Sequence, residues 1–141
     1  MKTPTTKASD VKRSWHLVDL KGKTLGRIAS EIAQLLQGKD KVYYSPNLDA
    51  GDYVVAINSD DIEVSSKKKL DNKIYYTHSG YAGGFKQATL KEKMDKDSRE
   101  VIRLAVKNML PKNKMRKSRL ARFKIFKDDK HPHESQINSS K

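Results

Sequence analysis

The 141-residue chain contains no cysteine. A disulfide framework, a thiolate zinc site and a cysteine nucleophile are thereby excluded. No stretch approaches the roughly 20 consecutive apolar residues of a membrane span. Residues 1–12 are polar and lack an apolar core, so no secretory signal is expected. Strand-like residues from Trp15 onward leave little room for a transit peptide. Acid is scarce as well: 17 Asp and Glu stand against 30 Lys and Arg, for a net charge of +13. What remains is a soluble, cytoplasmic protein of about one domain, with 35% hydrophobic residues clustered well enough to close a small core. Its charge points to an acidic partner, and nucleic acid is the commonest.

The charge is unevenly placed. Residues 42–66 carry five acids and no base, whereas 107–127 carry nine bases and no acid. A solvated surface normally mixes both signs. A run of one sign repels itself and persists best where a polyanion cancels it. The acidic segment is expected inside the sheet and its turns, or facing away from the polyanion.

Periodicity supplies the elements. Residues 15–19 suit a strand. Leu25, Ile28, Ala29, Ile32, Leu35 and Leu36 form one helical stripe over 24–37, with Thr24 as N-cap and Gly38 as stop. Residues 53–57 are continuously apolar and β-branched, as in a parallel strand covered on both faces. A short apolar run at 62–64 and a basic turn at 67–69 follow. Residues 73–78 read as a strand leading into a glycine-rich loop at 79–85. Thr89 caps a short helix to about 95, and Ser98 caps a longer one carrying Val101, Ile102, Ala105, Val106 and Met109 up to Pro111. Residues 114–121 read as a basic helix and 123–126 as a strand. The order implies an α/β domain with a small, mostly parallel sheet. Residues 1–12 are expected as a polar arm, 13–127 as the domain, and 128–141 as a flexible tail.

Enzyme signatures are weak. The 80–84 loop follows a strand, but it has no P-loop register and no dinucleotide-binding spacing. Its glycines serve either a turn at positive φ or a close approach to phosphate. Asp49 and Asp52 read as turn residues. His16 shows no carboxylate partner in sequence. His78 reads as an anchor for the glycine loop or as an RNA contact. The pair His131 and His133 lacks further metal ligands, and no cofactor is expected. Zinc-finger, leucine-zipper and aromatic RNA-motif signatures are missing. A binder that reads phosphates and shape fits best. A free-standing RNA- or DNA-binding regulator is the runner-up, and a phosphate-handling enzyme built on the 80–84 loop a distant third.

Several stretches carry a family resemblance. They are Trp15-His16-Leu17-Val18-Asp19, Gly22-Lys23-Thr24-Leu25-Gly26-Arg27-Ile28-Ala29-Ser30, Leu48-Asp49-Ala50-Gly51-Asp52-Tyr53-Val54-Val55, Tyr75-Tyr76-Thr77-His78-Ser79-Gly80-Tyr81-Ala82-Gly83-Gly84 and Ala105-Val106-Lys107-Asn108-Met109-Leu110-Pro111. In order and spacing the chain resembles the bacterial-type ribosomal proteins of the large subunit, L-thirteen family, over about residues 10–130. It departs from the family's usual pattern at Asn47, Ala82 and Asn108. The resemblance implies a three-layer α/β/α fold, binding to large-subunit ribosomal RNA beside neighbouring ribosomal proteins, and a role in early subunit assembly. It implies no catalysis, no small-molecule substrate and no membrane. The residues expected at the RNA are Arg27, Lys39, Lys41, Lys67, Lys68 and Lys69 on the rim, His78, Gly83 and Gly84 in the glycine loop, and Lys112, Lys114, Arg116, Lys117, Arg119 and Arg122 in the C-terminal run.

Overall fold

A computed structural model describes residues 5–140; residues 1–4, the first part of the expected N-terminal arm, and Lys141 lie outside the described residues. Strands β1 (Trp15–Asp19), β2 (Tyr53–Ile57) and β5 (Phe123–Ile125) form a parallel sheet in the order β1-β2-β5. Trp15 pairs with Tyr53, and Val54 with Phe123. Strand β2 is central, which explains its unbroken apolar run. Val54 and Ala56 join the main core, whereas Val55 and Ile57 face a second cluster on the opposite side.

Helices α1 (Leu25–Gln37) and α3 (Leu90–Met109) cover the first face. The stripe on α1 is buried as its spacing requires, with Ile32 and Leu36 fully inaccessible. Truncating either to Ala would cost about 2–5 kcal/mol through lost transfer energy and a residual cavity. Thr24 occupies the N-cap position of α1 without a side-chain cap hydrogen bond, and the helix stops at Gly38, whose φ of 74° is left-handed. Helix α5 (Glu134–Ser139) covers the second face, where Ile137 packs with Val55 and Ile57 beside Trp15 and Phe126. The three layers expected of the α/β/α fold are therefore present, and one of them is built by the segment read as a flexible tail. Its short apolar content hid it: Ile137 alone fills the gap over the sheet.

Other local readings change. The basic turn at 67–69 opens a short helix, α2 (Lys68–Asn72). Strand β3 (Ile74–His78) turns through the glycine loop into an unexpected strand, β4 (Phe85–Thr89), to make a separate antiparallel hairpin. The two helices expected from Thr89 and Ser98 run on as α3, with a break at Asp97. Thr89 does cap the first half, accepting from the Glu92 N–H. At the break it is Asp97, not Ser98, that caps, accepting from the Arg99 N–H at 3.1 Å. The Ser98 hydroxyl turns inward to Ser59 and Asp60, at 2.8 and 2.5 Å.

Candidate nucleic-acid interface

The basic residues divide into two populations. Arg27, Lys39, Lys67, Lys68, Lys69, Lys112, Lys114 and Lys117 are exposed, and Arg116 is half-buried. Among the described residues none of these nine takes part in a salt bridge. The fold brings some of them together. Arg27, from the first turn of α1, and Lys69, from α2, line one groove of about 490 Å³ with Lys73, over a floor that includes Leu25, Leu90 and Ala105. Helix α4 (Met115–Ala121) sets Lys117 in a second groove beside Arg103 and Lys107 of α3. Arg103 and Lys107 were not among the expected contacts, although their spacing of four on an exposed helix face is the signal that would have found them.

Three expected contacts are not at the surface. Arg119 is 1% exposed and Arg122 is 7% exposed. They stand three apart at the end of α4 and turn inward together, toward Asp49 in the loop before β2. Arg122 makes a two-pronged ion pair with the Asp49 carboxylate, and Arg119 Nε lies 3.6 Å from Asp49 Oδ1. Lys41 is the third. Its Nζ donates to Asp52 Oδ1 at 2.5 Å and to the Lys12 carbonyl at 2.6 Å. A one-sign sequence run therefore conceals an alternation: Lys112, Lys114 and Lys117 are exposed, whereas Arg119 and Arg122 point into the body. A guanidinium can serve there because its planar fork matches a carboxylate and is weakly hydrated.

Asp49 and Asp52 are thus more than turn residues. Burial pushes the Asp49 carboxyl upward, but the hydrogen bonds and charge of Arg122, the Ser118 hydroxyl and the charge of Arg119 outweigh it, leaving it below the usual carboxylate range. Asp52 is opposed by burial in the same way and lowered by Lys41, the Ser14 N–H and His16. His16, read as lacking a carboxylate partner, sits with Nε2 2.9 Å from Asp52 Oδ2. Helix α1 and the loops on either side of it separate these partners in sequence by 36 residues. Of the other acids in the 42–66 segment, Asp60 bonds Ser98, while Asp61 and Glu63 are exposed.

In the glycine loop, His78 Nδ1 accepts the Gly80 N–H at 2.9 Å, so the histidine anchors the turn. Gly83 has φ of 72° in open space, and a Cβ on Gly84 would run into Ser79 Oγ and the Tyr81 carbonyl. The hairpin itself therefore demands both glycines, the first for its left-handed backbone and the second for close approach within the loop. Of the two uses open to these glycines, the turn and the packing of the loop on itself account for both. In the C-terminal segment, His133 stacks on Trp15 with ring centroids 5.2 Å apart.

Among the described residues, no group of three His, Cys, Asp or Glu side chains is placed to hold a metal ion, and no helix is long and apolar enough to cross a membrane. The surface on offer is a set of unpaired cations on several elements around a rigid body. Such an arrangement can neutralise phosphates at separate points of a folded polyanion.

The family model described as "Ribosomal protein L13" matches residues 13–132. The chain is 51% identical over 136 residues to "Large ribosomal subunit protein uL13" of Aquifex aeolicus (strain VF5), covering 96% of this chain and 94% of that protein. It is 48% identical over 136 residues to the protein of the same name from Clostridioides difficile (strain 630), covering 96% and 94%. It is 47% identical over 135 residues to that of Thermotoga maritima, covering 96% and 90%. A family model matching residues 13–132, with relatives 47–51% identical over 96% of the chain, places the chain in the ribosomal protein L13 family.

Proposed function

We propose that the protein is a structural, non-catalytic component of the large ribosomal subunit in the cytoplasm. It binds large-subunit, 23S-type ribosomal RNA, packs beside neighbouring large-subunit proteins and supports early assembly of the subunit. The observation that carries this reading is the set of exposed cations without carboxylate partners among the described residues: Arg27 and Lys67–Lys69 on one side, and Lys112, Lys114 and Lys117 on α4 and the loop before it. Kinship with proteins named for the large subunit supports large-subunit RNA as the partner.

The mechanism is electrostatic and geometric. Each lysine is a mobile point charge that finds a phosphate oxygen, and Arg27 can fork across two. Because the cations sit on α1, α2 and α4 of one packed body, binding fixes the spacing between the RNA segments they touch. The glycines Gly83 and Gly84 and the anchor His78 contribute by holding the hairpin turn in shape. Co-sedimentation tests the reading: tagged protein expressed in a bacterial host is expected in the large-subunit fraction and to remain there after a moderate salt wash. Recovery only in the free protein pool would contradict it.

A further inference from the structure

The groove of about 490 Å³ between α1 and α2 has a cationic rim and an aliphatic floor. Arg27 stands on α1, Lys69 on α2 and Lys73 just beyond α2, and no Asp or Glu is among the lining residues. Among the described residues none of these three cations forms a salt bridge. Lys69 Nζ donates only to the neutral Ser65 hydroxyl, at 2.6 Å, and Lys73 Nζ lies 5.3 Å from the centre of the Tyr75 ring. Three positive charges therefore converge on one concavity without an anion. Between them the floor is built from Leu25, Leu90 and Met109, and Met109 is 42% exposed.

Two residues in the first turn of α1 are unexplained by the fold. Gly26 lines the groove, its backbone is helical, and a Cβ on it would meet nothing within 4 Å. Neither positive φ nor internal crowding requires a glycine there, and glycine weakens a helix relative to alanine. What Gly26 supplies is bare backbone on the groove wall, which permits close approach by a ligand. Arg27 is a cation at the positive end of the helix dipole, where it is disfavoured. A phosphate in the groove turns both features to advantage: it meets bare backbone and is attracted by the guanidinium.

The lining also restricts the occupant. An uninterrupted RNA duplex brings phosphates but keeps its bases stacked inside, so it leaves the aliphatic floor in water. A purely apolar group covers the floor and leaves three cations unanswered. A nucleotide turned out of its helix has a phosphate before it, a phosphate after it, and a ribose and base between, which matches cations on two walls with apolar surface between them. Asn108, also at the groove, offers a donor and an acceptor to a base edge. Lys67 and Lys68 continue the cationic wall beyond Lys69, so the strand leaving the groove stays on the surface read above as RNA-binding. That continuity favours RNA over an acidic peptide carrying an apolar anchor.

We propose that the α1–α2 groove takes one unpaired nucleotide of the bound RNA, with its phosphates at Arg27 and at Lys69 and Lys73 and its ribose and base over Leu25, Leu90 and Met109. The inference rests on the RNA-binding reading and deepens it: the exposed cations grip phosphates irrespective of base pairing, and this groove selects a nucleotide that has left the helix.

The test fills the groove without touching a charge. Gly26→Leu projects a side chain into the open space, and Asn108→Met narrows the groove from the α3 wall. The probes are a labelled 20-base-pair RNA duplex and the same duplex with one unpaired adenosine, titrated by fluorescence anisotropy. Wild type should bind the bulged RNA roughly 5- to 10-fold more tightly, the effect of burying a small apolar area. Both variants should lose that preference and keep wild-type duplex affinity and salt dependence. Gly26→Ala, which adds one methyl group, should keep the preference. Circular dichroism and urea unfolding should show every variant folded, with Gly26→Leu at least as stable as wild type. The assignment is overturned if wild type does not prefer the bulged RNA, or if both filled variants retain the preference. Parallel loss of both probes would also overturn it, since the groove then holds ordinary duplex phosphates. So would filled variants that bind both probes as wild type does yet fail to enter large subunits, since the groove then meets protein. Each of those results leaves the basic-surface reading standing. That reading fails separately if wild-type duplex binding does not depend on salt.

Discussion

Asp49 holds Arg122 through both of its carboxylate oxygens, at 2.7 Å from Nη1 and 2.6 Å from Nη2. This pair ties the loop before β2 to the residue joining α4 and β5. Arg122 Nη2 also lies 3.4 Å from the Leu36 carbonyl at the end of α1. The end of α1, the loop before β2 and the end of α4 thereby meet at one guanidinium. Lys117 of α4 and the exposed lysines just before the helix take their position on the body from this anchor.

Arg119 shares the carboxylate unequally. Its Nε and Nη1 are buried without a hydrogen-bond partner. Replacing such a buried charge by an apolar side chain of similar length is often neutral or stabilising, whereas removing the shared anion leaves uncompensated cations. Urea unfolding should therefore show Arg119→Met within about 1 kcal/mol of wild type and Asp49→Ala destabilised by about 3–5 kcal/mol. Because the folded protein holds Asp49 and Asp52 below the ordinary carboxylate range, their contribution is complete above the unfolded value of about 3.9 and is lost as pH falls through the folded values. Asp49→Asn should accordingly show a shallower loss of stability between pH 5 and pH 3, about the range in which carboxylates titrate.

The same linkage acts on α5 nearer neutrality. Burial first, then the charges of His131 and Lys124, lower the His133 pKa. The folded state thus favours the neutral ring stacked on Trp15, and that preference is complete above about pH 6.5 and lost as pH falls below it. Trp15 is the chain's one tryptophan, so its fluorescence reports the contact. Emission should change between about pH 7.5 and 5 in wild type and stay constant in His133→Phe.

Gly83 tests the hairpin turn. Its left-handed φ of 72° has open space around it, so Gly83→Ala meets backbone strain and no clash. The variant should lose about 1–2 kcal/mol of stability and bind RNA normally once folded. Reduced affinity of the fully folded variant would put RNA against this glycine.

The body was legible in sequence because it is built from local periodicity. The α1 stripe and the unbroken apolar run of β2 each announce their burial. Strand β4 was not, because Phe85, Lys86 and Gln87 are all exposed and only Ala88 and Thr89 are half-buried, so no alternation marks it. Helix α5 was hidden by having one buried residue, Ile137. The candidate interface was half legible. Counting charge found the cationic run at 107–127 but not that Arg119 and Arg122 point inward, since their partner Asp49 lies about seventy residues away, 73 for Arg122. His16 and Lys41 meet Asp52 for the same reason, through contacts that only the closed fold creates.

The central claim is that exposed lysines bind RNA while the buried Arg122–Asp49 pair holds the fold. It is tested most directly by the salt dependence of binding to large-subunit ribosomal RNA, compared between wild type and Lys112→Gln/Lys114→Gln/Lys117→Gln. With about 6–8 phosphates neutralised, wild type should give a slope of log K against log salt of about −4 to −7. The triple variant should keep wild-type thermal stability, as exposed charges contribute little, and its slope should be shallower by about 2. An unchanged slope in the folded variant, or a variant that unfolds, would contradict the account.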